Sequence, residues 1–387
     1  MAKKDTLERV EAYLSENYSL RKNVITGEIE IKSNTNNKAA WQEFDIYSTY
    51  RELLHNEHTI TLADLDYLIK SDFVQEYDPF KEYFAGLPIW TNGGPDYITE
   101  FLSFIKVDHQ VRFEKHFTKW LVRAIKCCLE AGYINKHLII LVGERQNTGK
   151  STWIRFLMPA QLSDYFTENI STDKDSLIAI IECFLINMDE LQSLSKYELN
   201  ALKSIISKAF VKIRAPYDRK ATNRPRRASF IGSTNETEFL TDVTGNIRWI
   251  PFNVISIDWS YRAQTNIDNI WAQAYSLYLN GFECEITADE IKENEEAAKM
   301  YSVVTFEMEL LSRYFVPGTK DDHDFFLTTT EIELDLRSRT NGTIRISNQM
   351  LGKALRALSF PRDNRYFPGM AFPYKAYYLK KIYQAPK

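Results

Sequence analysis

Residues 137–157 read HLIILVGERQNTGKSTWIRFL, and this stretch decides the fold. The apolar run His137–Val142 has the character of a strand buried on both faces, as in a parallel sheet. It ends at Gly143, and a polar loop leads to Gly149-Lys150-Ser151-Thr152 and then to a helix start. A phosphate needs that geometry: backbone N–H groups at a helix N-terminus point at the anion, and the helix dipole favours its charge. Gly149 lets the backbone approach, Lys150 reaches the β- and γ-phosphates, and the Ser151 hydroxyl ligates Mg²⁺. Asn147, Thr148, Gly149, Lys150, Ser151 and Thr152 are therefore the expected nucleotide-binding positions, with ATP and Mg²⁺ as ligands. The usual loop has four residues between its glycines. Here five lie between Gly143 and Gly149, so the first glycine is displaced or the loop is one residue longer.

Short apolar runs continue downstream between helical stretches: Cys183–Met188, Ser229–Gly232 and Trp249–Ile255. That alternation predicts an α/β fold with a parallel sheet and crossover helices over 137–257. The second run ends in Asp189-Glu190. One carboxylate there suits the Mg²⁺ shell (Asp189, beside Ser151), and the next suits the general base (Glu190). An ordinary acidic turn is the alternative. The third run ends in Asn235, which can position the lytic water or sense the γ-phosphate. Arg248 follows in TGNIRW, where it could reach a neighbouring subunit's nucleotide; a salt-bridged edge arginine is the alternative.

Between the second and third runs lies VKIRAPYDRKATNRPRR (211–227), with seven basic residues against one acid, Asp218. Such a concentration favours phosphate-backbone contact; a solvated charged loop is the alternative. Val211–Ile213 and Ala228–Ile231 are expected as the arms of a hairpin with Asp218–Arg224 at its tip. Arg219, Lys220 and Arg224 are then the expected DNA contacts, while Arg214 and Arg226, near the strand bases, are expected to serve the nucleotide.

The flanks are quieter. Residues 5–17 have helical periodicity, Val24–Lys32 reads as a hairpin bending at Thr26-Gly27, and helices are expected near 46–56 and 62–74. Residues 79–135 read as helical, with Phe117, Trp120, Leu121 and Ala124 as a core stripe. Residues 260–315 return to helix. Beyond Pro317-Gly318, Thr328–Arg339 and Asn348–Leu358 read as helices and Tyr374–Tyr383 as a strand. Four units are expected: 1–78, a small α+β adaptor; 79–136, a helical bundle; 137–315, the ATPase core with a helical extension; and 316–387, a winged-helix-like domain.

The 387 residues are 44% hydrophobic and 26% charged, with net charge −4. That is ordinary for a soluble globular protein, so any nucleic-acid site must be a local patch. The four cysteines have neither CxxC nor zinc spacing, which is reduced, intracellular usage. No signal-peptide apolar region or membrane-length run is expected, which points to the cytoplasm and to no membrane contact.

The order of phosphate loop, Asp-Glu strand, basic hairpin, Asn-tipped strand and arginine resembles the superfamily 3 helicases among AAA+ ATPases. The chain is more specifically similar to the virulence-associated protein E (VapE-like) family of phages and mobile elements. The matching stretches include Tyr77–Trp90, Lys174-Asp175, Asp189-Glu190-Leu191, Leu202–Ser207, Arg214-Ala-Pro-Tyr217, Gly232–Glu236 and Leu240–Asn246. The resemblance covers about 77–255. It implies an AAA+ core, a homo-hexameric ring moving on single-stranded DNA in mobile-element replication, and a replication initiator or primase as a further partner. It also implies Walker B roles for Asp189 and Glu190, sensor 1 for Asn235, and an arginine finger in Arg248. Where the family shows paired arginines, this chain has Ile247-Arg248. The expected activity is a DNA-stimulated ATPase and helicase; an ATP-switched initiator or regulator that does not unwind DNA is the alternative.

Overall fold

The structure is a computed structural model that describes residues 3–36, 38–145, 147–171, 173–191, 196–213, 220–240, 248–340 and 345–382. It is a mixed α/β fold.

The chain opens with helix α1 (Lys3–Asn17) and strands β1 (Tyr18–Asn23), β2 (Ile29–Ser33) and β3 (Gln42–Glu43). Helices α2 (Ile46–His55) and α3 (Leu62–Ile69) and strand β4 (Gln75–Tyr77) complete this first unit. Its sheet runs β3-β2-β1-β4, over a core of Val10, Leu14, Leu53, Leu65 and Leu68. The first hairpin arm is 18–23 rather than a segment inside 24–32. The turn itself consumes 24–28, because the Asn23 side chain accepts the Ile25 and Thr26 N–H groups and Gly27 sits at φ 82°. The turn inserts Ile25 into the core of the next unit.

Helices α4 (Pro79–Gly86), α5 (Tyr97–Ser103) and α6 (Gln110–Leu129), with strand β5 (Ile105–Val107) between the last two, lead to the central sheet. On α6 the expected stripe is fully buried. Strand β6 (Leu138–Val142) is followed by α7 (Lys150–Phe156), β7 (Phe166–Glu168), α8 (Lys174–Glu182), β8 (Leu185–Met188) and α9 (Lys196–Ile206). The short hairpin β9 (Phe210–Ile213) and β10 (Thr222–Pro225) precedes β11 (Ser229–Thr234) and β12 (Trp249–Ile257).

The central sheet has the order β5-β12-β6-β11-β8-β7. Its last five strands are parallel, and β5 is antiparallel to β12. Side chains alternate across a strand, so Ile139 and Leu141 enter one core while Leu138, Ile140 and Val142 enter the other. Both faces are covered, which is why β6 reads as an unbroken apolar run. Burying each Leu or Ile contributes about 2 kcal/mol. Because the strands are parallel, the loops after β6, β8 and β11 emerge at one edge of the sheet, where α/β ligand sites form.

Helices α10 (Tyr261–Gln264), α11 (Ile267–Leu279) and α12 (Ala288–Lys299) pack back on this unit. The last unit holds α13 (Phe306–Tyr314), β13 (Phe315–Pro317), β14 (Phe325–Thr328), α14 (Thr329–Arg339), α15 (Asn348–Ala357), β15 (Arg362–Arg365) and β16 (Tyr374–Lys381). Its antiparallel sheet is centred on β16, over a separate core that includes Leu311, Leu336, Leu351 and Leu379. Among the described residues, no helix is long and apolar enough to cross a membrane.

Candidate nucleotide site and basic hairpin

The loop between β6 and α7 wraps around one ammonium group. Lys150 is 5% exposed, and its Nζ donates to the carbonyls of Gly143 (3.1 Å) and Arg145 (3.3 Å). It also donates to Thr148 Oγ1 (3.1 Å) and Asn235 Oδ1 (2.9 Å). Burial pushes the Lys150 pKa down, against the pull of Asp189. Gly143 closes the strand: its N–H donates to the Thr234 carbonyl at the end of β11. Gly149 caps α7 at φ 91° with no side chain to take the first-turn N–H groups, and those groups remain available to an anion.

The carboxylate comes from the neighbouring strand end. Asp189 Oδ1 accepts from Ser151 Oγ at 2.9 Å and from Ser233 Oγ. The register explains the meeting: Met188 pairs with Gly232, so the next residues of β8 and β11, Asp189 and Ser233, are side by side. Glu190 is exposed at φ 52°. These groups line a cleft of about 320 Å³ with Asn147, Thr148, Thr152 and Arg155. A hydroxyl and a carboxylate within 3 Å of each other are hard oxygen donors of the kind Mg²⁺ takes in ones and twos from protein. Among the described residues, no group of three or more His, Cys, Asp or Glu is gathered for a metal.

Sequence reasoning named Lys150, Ser151, Asp189 and Asn235, which meet here. It missed Ser233, whose signal lay inside Gly232-Ser-Thr-Asn235, and Arg155. Arg155 faces the cleft but is held by Glu168, with Nε–Oε1 at 3.0 Å and Nη2–Oε2 at 2.8 Å.

Arg248 lies elsewhere. It precedes β12, whose Trp249 pairs with Leu138 at the start of β6, and its guanidinium donates to Ser207 Oγ. The β6–α7 loop is at the other end of β6, roughly 16 Å away at about 3.3 Å per residue. Residues 241–247 before it are outside the described set.

The basic segment is organised differently from expectation. The hairpin's second arm is Thr222–Pro225, paired to Phe210–Ile213; Ala228–Ile231 belongs instead to the loop into β11 and to β11 itself. Ser229–Thr234 is entirely buried, so the central sheet takes it in. Arg224 is consequently on an arm, opposite Val211, and not at the tip. Its Nη1 donates to the Ile25 carbonyl of the first unit at 3.0 Å. Lys220 is exposed at the start of the second arm, while Arg214 and Arg219 lie outside the described residues. Arg226 is remote from the nucleotide cleft. It is fully buried and donates to the carbonyls of Ala228 (2.8 Å), Asn135 (2.9 Å) and Ile206.

Residues 89–303 match the Virulence-associated protein E-like domain family, and the chain belongs to that family. No curated protein matches it. The apo structure of the NrS-1 C-terminal region (305–718) is similar in fold at 14% identity and TM-score 0.54; the alignment covers 97% of this chain and 100% of that one. The A form of the same region aligns with TM-score 0.51, at the same identity and coverage.

Proposed function

We propose that this protein is an ATP-dependent DNA helicase or translocase of the superfamily 3 type, built on an AAA+ core. One observation carries the reading: Lys150, Ser151, Asp189 and Asn235 arrive from three strand ends at one edge of a parallel sheet. Lys150 balances the β- and γ-phosphate charge, with the α7 N–H groups around it. Mg²⁺, held by Ser151 and Asp189, neutralises charge on the phosphate oxygens when bound. Glu190 accepts the proton of a water whose oxygen attacks the γ-phosphorus. The bond to the β–γ bridging oxygen breaks, releasing ADP and phosphate. Asn235 orients the water, and the Lys150–Asn235 hydrogen bond supports a role at the γ-phosphate end.

Arg248, at the far end of the sheet, serves the site of an adjacent subunit in a homo-hexameric ring. Lys220 and Arg219 contact single-stranded DNA, and Arg224 anchors the β9–β10 hairpin to the first unit. The separate cores of the first and last units support those two divisions, with α13 joining the last core, whereas residues 79–136 share one core with the central sheet. Helices α14 and α15 beside the β15–β16 hairpin support a winged-helix-like last unit. The protein works in the cytoplasm in replication of a phage or mobile element, with an initiator or primase as partner.

The test is ATP hydrolysis with and without single-stranded DNA, together with strand displacement. Wild type should be stimulated and should separate strands. Lys150→Ala should abolish hydrolysis, and Arg219→Ala with Lys220→Ala should bring the stimulation ratio to about one. Stimulation without strand displacement would favour an ATP-switched initiator or regulator.

A further inference from the structure

The phosphate loop has two flanks. On one side of β6 lies β11, then β8, bringing Asn235 and Asp189 to the γ-phosphate end in the reading above. On the other side lies β12. Two residues beyond the end of β12, the Trp259 indole packs against Gly149: a Cβ on that glycine would stand 2.6 Å from Cζ2 and 2.7 Å from Cη2. A nucleotide whose γ-phosphate is at Asn235 runs along the loop away from β11, so its base arrives on the β12 side.

Trp259 is 45% exposed, which leaves part of a large aromatic ring open to a ligand. Its backbone is nonetheless fixed. The Asp258 N–H donates to the Phe104 carbonyl at 2.8 Å, and Asp258 Oδ1 accepts the Ser260 N–H at 2.9 Å. Two residues on, Tyr261 is fully buried against Phe101 and Phe156. The Arg262 guanidinium lies over the indole, 4.8 Å from its centroid. A rigid, half-exposed aromatic ring held on the loop glycine is preorganised for stacking, because little side-chain freedom remains to be lost on binding.

We infer that Trp259 is the stacking platform for the nucleotide base, braced by Arg262, and that it makes this site favour a nucleotide over a bare polyphosphate. This rests on the phosphate-site reading, deepens it, and assigns the base end of the ligand. Gly149 is then required twice, for its positive φ and for the room the indole takes.

The test is titration of the full chain with ADP and with inorganic tripolyphosphate, which has no base. Base–aromatic stacking is worth enough that Trp259→Ala should weaken ADP binding by about tenfold or more, with tripolyphosphate changed less than about twofold. Trp259→Phe should keep ADP affinity within a few-fold, yet lose the ADP-dependent change in intrinsic fluorescence expected of wild type. Equal weakening of both ligands by Trp259→Ala would mean the indole only shapes the loop, and would overturn the assignment. So would unchanged ADP affinity. If wild type binds neither ADP nor tripolyphosphate, the phosphate site itself is wrong, an outcome distinct from either.

Discussion

Arg226→Ala should unfold this protein more readily without touching its ligand chemistry directly. The guanidinium is 0% exposed and ties together three segments: the end of α9 through Ile206, the approach to β6 through Asn135, and the approach to β11 through Ala228. It also lies 5.0 Å from the Phe230 ring centroid. Burial pushes its pKa down, with a small opposing pull from Cys127; its charge is balanced mainly by carbonyl dipoles. Truncation leaves the Ile206 and Asn135 carbonyls without the guanidinium and the Ala228 carbonyl with the weak Cys127 Sγ–H donor, at about 1–3 kcal/mol for each acceptor left unmatched. Relief from desolvating the guanidinium offsets part of that, so the net loss is about 3–5 kcal/mol. At roughly 2–4 °C per kcal/mol, the melting temperature should fall by about 10 °C. Arg226→Lys should recover little, because an ammonium on a flexible stem cannot reproduce the planar fork. Thermal unfolding followed by circular dichroism, beside ADP and single-stranded DNA binding at 20 °C, reads both sides. A variant that melts within about 2 °C of wild type but loses nucleotide or DNA would refute the reasoning, since the arginine would then face a ligand.

Other perturbations have equally definite outcomes. Gly149→Ala forces a positive φ on a residue with a Cβ, at about 1–2 kcal/mol, and drives that Cβ into Trp259. Hydrolysis should be lost, and adding Trp259→Ala should restore thermal stability only in part. Arg248→Ala should silence hydrolysis alone, yet mixing it with Lys150→Ala subunits should regain roughly a quarter of wild-type turnover, the share of interfaces that random mixing leaves intact; no recovery would sink the role across subunits. Burial, reinforced by nearby Arg112 and Arg123, pushes His116 and His137 down to about 3. The unfolded chain takes up those protons below about pH 6.5 while the folded chain does not. Stability should therefore fall as pH drops from 6.5 toward 3, by about 1.4 kcal/mol per pH unit for each histidine. His116→Phe should remove one proton's worth of that slope in urea midpoints taken between pH 7 and pH 5.

The local features were legible because they are written locally. A five-residue apolar strand, a Gly-Lys-Ser-Thr helix start and two strands ending in Asp189 and Asn235 each depend on short-range backbone preferences and on burial from both faces. The α6 stripe was legible for the same reason. Strand β7 was not: three residues at a sheet edge carry no periodicity. Charge was the least legible property. Seven basic residues in one segment announce a field, but sequence cannot say which are solvated. The sheet took Ser229–Thr234, and the hairpin closed on Thr222–Pro225. Arg224 was thereby turned toward Ile25 and Arg226 buried among carbonyls, while Lys220 stayed exposed.

By itself, then, the sequence determined that a glycine-ended loop begins a helix after a buried strand, and which carboxylate and amide stand at neighbouring strand ends. Only the tertiary structure decided that Ser233 joins Asp189, that Arg248 stands at the opposite edge from Lys150, and that Trp259 lies on Gly149. Each of these depends on strand order and register between segments far apart in the chain, which local preference does not encode.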